Sequence, residues 1–552
     1  ADVKQGVDVA KVEAIIDEEL KKLLKDGPTQ DEVDRARTVI KAGWIRGVER
    51  IGGFGGKADA LAECAVYTGD PGCFRESLDR IATSSAAEVP AAARQWLRQG
   101  DYTLTVTPGE RVPLAEAPSV PAQAETLPKP DPKFTTVASD LDRSKGVPVT
   151  TRFPDLKFPA IQHGKLANGM KVLLAERHDV PVVQVSMEFP GGFASDKGRK
   201  LGTASFTMGM LDEGAGSYDA IALGNRSESL GANIGTGASL DAASASLSAL
   251  SDKLDDSMAL FADVVRRPRF DEKEIERVRA TWLAGIKQEK TRPNSMATRA
   301  LMPALYGAGH PYAAPRTGSG TEASITSLSR SDLQNWHASA LRPQDATLVV
   351  VGDTTLGEIV PVLEKHFGDW KATGTASAAA KLPAVAGQKK PRVFLIDQPG
   401  AVQANIVAAQ LATSSTDPAA VAFDMANMVI GGDFTARLNM NLREDKHWSY
   451  GARSGAASAV GQRMWRATAP VQIDKAGESV AEIRREIAEF FGGSRGTSAE
   501  ELARQQKGLT LSLPGAYETA MSVMGTIGSN VLYGRPDDYV FKRKAEIEAM
   551  TP

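Results

Sequence analysis

Two stretches near opposite ends of this 552-residue chain carry the same local pattern in the same order. Residues 9–26 have the apolar spacing of an amphipathic helix, and Asp26-Gly27-Pro28 is a helix stop. Thr29-Gln30-Asp31-Glu32 then reads as a capping box opening a second helix to about Glu49, and a Tyr67-Thr68-Gly69 turn follows. Near the other end an amphipathic helix ends at Gly492-Gly493, and Thr497-Ser498-Ala499-Glu500 reads as a capping box. A long helix and the turn Tyr533-Gly534 come next. Thr29 is thus matched by Thr497 at an offset of 468 residues, and Tyr67 by Tyr533 at 466. A period this long predicts duplication of a multi-domain unit, not a solenoid. The first copy continues with a helix around Glu88–Leu97 and a strand over 101–108, whereas the second stops at Pro552. The first in turn lacks whatever precedes its helix pair, so both terminal folding units are expected to be incomplete.

A chain this long exceeds what one hydrophobic core serves, so several domains are expected. Its residues are 42% hydrophobic and 24% charged, the balance of a soluble globular protein. A formal net charge of -3 provides no basic field for nucleic acid. No run of 18 apolar residues is present to span a bilayer. The charged amphipathic N-terminus does not read as a signal peptide.

Residues 108–155, rich in proline, alanine and charge, read as a semi-extended linker. Residues 156–372 read as a complete α/β unit. It opens on a hairpin at Asn168-Gly169, a pair suited to a type I′ turn. A strand over VVQVSMEF, helices at 199–212 and 270–292, a strand over DATLVVVGD and the helix LGEIVPVLEKHF complete it. Residues 373–552 open a second such unit with strands over VFLIDQ and ANIVAAQLA, a helix around AAVAFDMANMVI and a hairpin near SGAASAVGQRMWRATAPV. The fold class expected is α/β (α+β), with mostly antiparallel sheets packed by helices.

Little in this chain supplies catalytic chemistry directly. Its six histidines are His163, His178, His310, His337, His366 and His447. No two lie at i, i+4 on one helix, and none has the His-x-x-Glu-His spacing that sets two imidazoles on one zinc. No paired-cysteine zinc motif, Walker loop or nucleophile elbow occurs, and the glycine run at 52–56 follows a helix, which suits a turn and not a phosphate cradle. Cys64 and Cys73, the only cysteines, flank a GDPG turn; they suit either a small disulfide in an oxidising compartment or two free thiols.

The most informative segment is GGDFTARLNMNLREDKHWSYG, residues 431–451, which sets Arg443 and Tyr450 seven residues apart after a glycine turn and an apolar helix. Spacing alone would make them a helix-surface arginine and a partly buried tyrosine. With its surroundings, the segment resembles the pitrilysin–insulysin (insulinase) family of zinc metallopeptidases. A second segment, Gly202 to Gly214 (GTASFTMGMLDEG), resembles by contrast the helix on which that family carries Gly-x-Ala-His-x-x-Glu-His. Ser205 and Gly209 stand at the two histidine positions, Met208 at the general-base glutamate, and Gly285 at the third ligand. None of these supplies a zinc ligand. HWSY stands where many relatives have Gly-Leu-x-Tyr, which puts Trp448 beside the pair.

The resemblance implies two halves of paired α/β domains closing like a clamshell around a peptide chamber. Residues 1–107 would be the tail of the second domain, 156–372 a third with an inactive zinc-site counterpart, and 373–552 an incomplete fourth. Zn²⁺ would be held outside this chain, by an N-terminal half of the same protein or a partner subunit. Arg443 and Tyr450 would reach across the chamber to position unfolded peptides for a metalloendopeptidase. The resemblance, with the cysteine pair, implies an exported, periplasmic location. Two other functions remain open: a non-catalytic structural subunit with the same fold, and a peptidase acting through an unrecognised site.

Overall fold

A computed structural model describes residues 3, 6–97, 100–107, 109, 142–146, 150–376, 380–387 and 390–552. Most of the proline-rich linker expected at 108–155 lies outside the described residues. The chain forms two compact units, one from residues 1–29 with 85–155 and the other from 30–84 with 156–552.

In the first unit, helix Val9–Asp26 begins where the Asp8 carboxylate accepts from Ala10 N and ends at Gly27, whose φ of 70° a side chain would strain. Pro90, at the start of helix Val89–Trp96, packs against Gly27 so closely that a Cβ there would meet its ring at 2.5 Å. The strand expected at 101–108 is not formed over the described residues 101–107. Tyr102 and Val106 are both more than four-fifths exposed, so their alternation buries no face, and among the described residues no partner strand collects their backbone hydrogen bonds.

The larger unit is built on a six-stranded sheet. Its strands, in chain order, are β1 (Gln162–Lys165), β2 (Lys171–Glu176), β3 (Val182–Pro190), β6 (Asn233–Ala238), β7 (Ala242–Leu250) and β8 (Thr347–Gly352). The short ribbon β4 (Gly214–Ala215) with β5 (Tyr218–Asp219) lies between β3 and β6 in the chain. In space the sheet runs β1-β2-β8-β3-β7-β6, with only β2 and β8 parallel. The expected hairpin at Asn168-Gly169 joins β1 to β2, with Gly169 at φ 93°. β8 is buried along its whole length, as a strand between two neighbours with both faces covered must be. One face packs on helices Leu254–Arg266 and Leu356–Phe367, the other on helix Ala520–Leu532.

A smaller sheet follows, of β9 (Gln403–Ala412), β10 (Arg453–Ala456) and β11 (Arg463–Gln472) in the order β10-β11-β9. Its antiparallel run β9-β11-β10 repeats the run β3-β7-β6 of the larger sheet, and helix Ala476–Phe491 packs on it. Three expectations need correction. The strand expected over VFLIDQ is absent: Val393 and Leu395 are more than nine-tenths exposed and no neighbouring edge pairs with them. The helix expected over 199–212 is cut to Thr203–Met208, because Gly202 before it has φ 91° and Gly209 ends it. The capping box near 497 is shifted by one residue: Ser498 is the extended cap residue and Glu501 answers it, opening helix Ala499–Leu511.

Candidate functional site

Helix Thr203–Met208, in the segment that resembles the family's zinc helix, is packed into the core. Met208 is fully buried, and Phe206 meets Trp282 edge-on at 5.3 Å between ring centres. Trp282 lies on helix Glu272–Glu289 and donates its Nε1 hydrogen to the Ser319 carbonyl at 2.9 Å. A Cβ on Gly209 would stand 3.5 Å from the Trp282 ring, so the indole fills the space facing that position. Gly285, three residues along the same helix, opens onto a cavity of about 540 Å³ that Trp282, Arg277 and Arg292 also line. Ser205 Oγ is buried without a partner. Serine, methionine and two glycines do not make a zinc site. Among the described residues no three histidine, cysteine or carboxylate side chains converge to hold a metal. Zinc does not fit here.

The histidines are scattered and locally engaged. His163 pairs with Asp537, His178 lies between Asp353 and Glu176, and His366 meets Asp255. His310 contacts the Pro383 carbonyl, His337 the Val265 carbonyl and His447 the Arg443 carbonyl. Cys64 and Cys73 are joined in a disulfide with Cα atoms 5.4 Å apart.

Arg443 and Tyr450 are brought together. Arg443 sits in Met440–Asp445, a stretch of π-helix in which Lys446 N bonds the Asn441 carbonyl at 2.9 Å. Such wide turns displace a side chain from the regular helical path and are frequent at functional sites. After it, His447 has φ 56°, turning the chain so that Tyr450 comes back over Arg443. The guanidinium carbon lies 5.1 Å from the Tyr450 ring centre and 4.7 Å from that of Phe434. This sandwich orients the charge. Tyr450 is 85% exposed, and Arg443 Nε keeps only an exposed contact of 3.2 Å to Glu444. Tyr450 is thus open to a ligand, while Arg443 is part-buried between the two rings, its side chain 32% exposed.

Beneath them the turn is tied down. Asn441 donates to Glu482 and Glu486 at 2.7 and 2.8 Å, Asn439 to the Phe434 carbonyl, and Arg437 makes a forked pair with Glu501. Trp448 packs against the core of the smaller sheet. Sequence reasoning missed Phe434 and Trp282. The first is half-exposed directly after the glycine turn, and an aromatic in that setting was the available signal; the second had none beyond its helix.

Comparison with known proteins gives two family matches: residues 327–509 to the "Peptidase M16 inactive domain" and residues 171–316 to "Insulinase (Peptidase family M16)". Bacillus subtilis has a relative named "Uncharacterized zinc protease YmxG", 22% identical over 66% of this chain and 86% of its own. Helicobacter pylori has one named "Non-peptidase homolog YmxG", 21% identical over 70% of this chain and 87% of its own. A solved peptidase M16 inactive domain from Pseudomonas fluorescens superposes with TM-score 0.64 and 27% identity, over 71% of this chain and 92% of its own. The first half of the periplasmic protease PqqL from Escherichia coli has the same fold, with TM-score 0.57 and 16% identity over 72% and 88% of the two chains. With both family models matched and the mixed-sheet fold shared with a solved M16 inactive domain, this chain belongs to the insulinase family, peptidase family M16.

Proposed function

We propose that this chain is the substrate-positioning portion of a two-part insulinase-family metalloendopeptidase whose zinc is held elsewhere, on a zinc-bearing half of the same protein or a partner subunit. The observation that carries the reading is the stacked Arg443–Tyr450 pair, a part-buried guanidinium beneath an exposed phenol, on its anchored π-helical turn. The guanidinium can donate to a peptide carbonyl and the phenol hydroxyl to an oxygen on which charge builds. Surface contacts such as Arg443–Glu444 contribute about 0–1 kcal/mol, so a substrate carbonyl can displace this one. The substrates are unfolded peptides small enough for an enclosed chamber. The fold shared with a periplasmic protease half supports an exported location.

The test combines this chain with a zinc-bearing insulinase-family half and follows cleavage of an unstructured fluorogenic peptide. Association is measured separately by sedimentation. Arg443→Ala is expected to lower kcat/KM by about 10–100-fold and Tyr450→Phe by about tenfold, with association unchanged. A kcat/KM unchanged from that of the unsubstituted chain in both variants removes the assignment. The name of the H. pylori relative favours a second reading, a structural subunit without peptidase action. A stable complex that never cleaves peptide, although its partner binds zinc, selects that reading instead.

A further inference from the structure

A cavity of about 470 Å³ opens in the larger unit, away from both segments described above, between the helices Ala420–Asn427, Ala520–Leu532 and Tyr539–Ala549. Its charge is one-sided. Arg463, Arg535, Arg543 and Lys544 line it against a single carboxylate, Asp424. Arg463 is 2% exposed; its Nη1 meets Asp424 at 2.7 Å, its Nε donates to the Thr413 carbonyl at 2.8 Å, and Phe423 covers one face. Its Nη2 is buried with no partner, and so is the Nδ2 of Asn530, a side chain 5% exposed in the same wall. Two buried donors with nothing to donate to are costly unless an acceptor comes to them.

The rim is preorganised as well. The Arg535 guanidinium is held between Tyr533 and Tyr539 at 4.7 and 4.4 Å from their ring centres, and donates to the Ser415 carbonyl at 3.1 Å. Arg543 is half-buried and has no ion-pair partner among the described residues, while Lys544 pairs with Glu548. The hydroxyls of Ser458 and Ser529 also line it, beside those of Ser522 and Thr526, which donate to the Thr519 and Ser522 carbonyls, and an apolar wall that includes Val421, Leu509 and Ile547. Fixed guanidinium forks, amide and hydroxyl donors recognise oxyanions by charge and by planar donor geometry.

We infer that this cavity is a binding site for a small multivalent oxyanion, phosphate being the simplest, held by Arg535, Arg543 and Lys544 at the rim and by Arg463 and Asn530 at the floor. Nothing in the peptide-positioning role requires it, so the two stand or fall separately.

Titration calorimetry and thermal melting of the purified chain with inorganic phosphate test the site, with citrate as a carboxylate probe and sodium chloride at matched ionic strength. One saturable phosphate site with a raised Tm is expected. Arg543→Ala should weaken it by about tenfold or more, and Arg463→Lys, which keeps the charge facing Asp424 but loses the second Nη, by a similar factor. Lys371→Ala, on the exposed surface, should leave it intact. Arg543 is not part of a buried pair, so its variant is expected to keep the unliganded Tm. Tighter binding of citrate than of phosphate also supports the site and assigns it to polycarboxylates. An absence of saturable heat with both probes, a Tm rise reproduced by chloride, or affinity in both arginine variants unchanged from that of the unsubstituted chain overturns it.

Discussion

At the scale of single residues, a buried carboxylate anchors the start of helix Thr203–Met208. Asp196 is 1% exposed, and its two carboxylate oxygens accept from Gly202 N at 2.8 Å and Ala204 N at 3.0 Å, where that helix begins. Burial raises its pKa from 3.8 to about 7, against the lowering pull of those donors. A folded-state pKa above the unfolded value means that the native protein binds this proton more tightly. The resulting stabilisation is complete below pH 3.8 and is lost as pH rises through about 7. Unfolding free energy should therefore fall over that window by at most about 1.4 kcal/mol per pH unit from this group. Urea unfolding at a series of pH values should show a flatter profile for Asp196→Asn, which cannot titrate. An unchanged slope would assign the dependence to other groups.

At the scale of elements, regular pieces with a face to bury were legible and the rest was not. Helix Leu356–Phe367 and strand β8 fall where apolar periodicity puts them, because each has a core to meet. VFLIDQ has the composition of a strand but no edge beside it, and composition alone cannot report a missing partner. The π-helical turn under Arg443 was invisible for a related reason: its shape is imposed by Asn439, Asn441 and Arg437 reaching residues far along the chain. The residue pair of the candidate site could be read from its motif, but neither its sandwich with Phe434 nor the cavity around Arg463 could. The Arg437–Glu501 pair tests how firmly the turn is held. Both side chains are more than four-fifths buried, and Arg437 brings the Glu501 pKa down to about 2. A depressed carboxylate stabilises above its ordinary 4.5, and that contribution is lost as pH falls through about 2. Glu501→Gln should cost about 1–3 kcal/mol at neutral pH in urea unfolding and much less near pH 2. An equal cost at both pH values would mean packing, and not charge, holds the turn.

At the scale of the molecule, the two sheets of the larger unit meet at a small polar seam. Asp241, just before β7, accepts from the Tyr312 hydroxyl at 2.5 Å and from Val460 N at 2.9 Å, while that hydroxyl accepts from Gly461 N at 2.9 Å. Tyr306 donates to the Gln462 carbonyl at 2.8 Å, and the rings of Tyr306 and Tyr312 meet edge-on over Met302 and Met464. These contacts tie residues before 372 to residues after it within the larger unit. The apolar part of the seam resists sliding only weakly by itself, since such surfaces lack direction. The hydrogen bonds supply a fixed register. Removing the Tyr312 hydroxyl leaves Gly461 N and one Asp241 oxygen unpaired beside a fully buried ring, at a cost of about 1–3 kcal/mol. Tyr312→Phe should therefore lower the stability of the larger unit. It should also speed amide exchange along 458–464 more than in β3 or β8, whose hydrogen bonds do not depend on the seam. Uniform acceleration of exchange through both sheets would show that the larger unit opens as one body and that the seam is no weaker than either core.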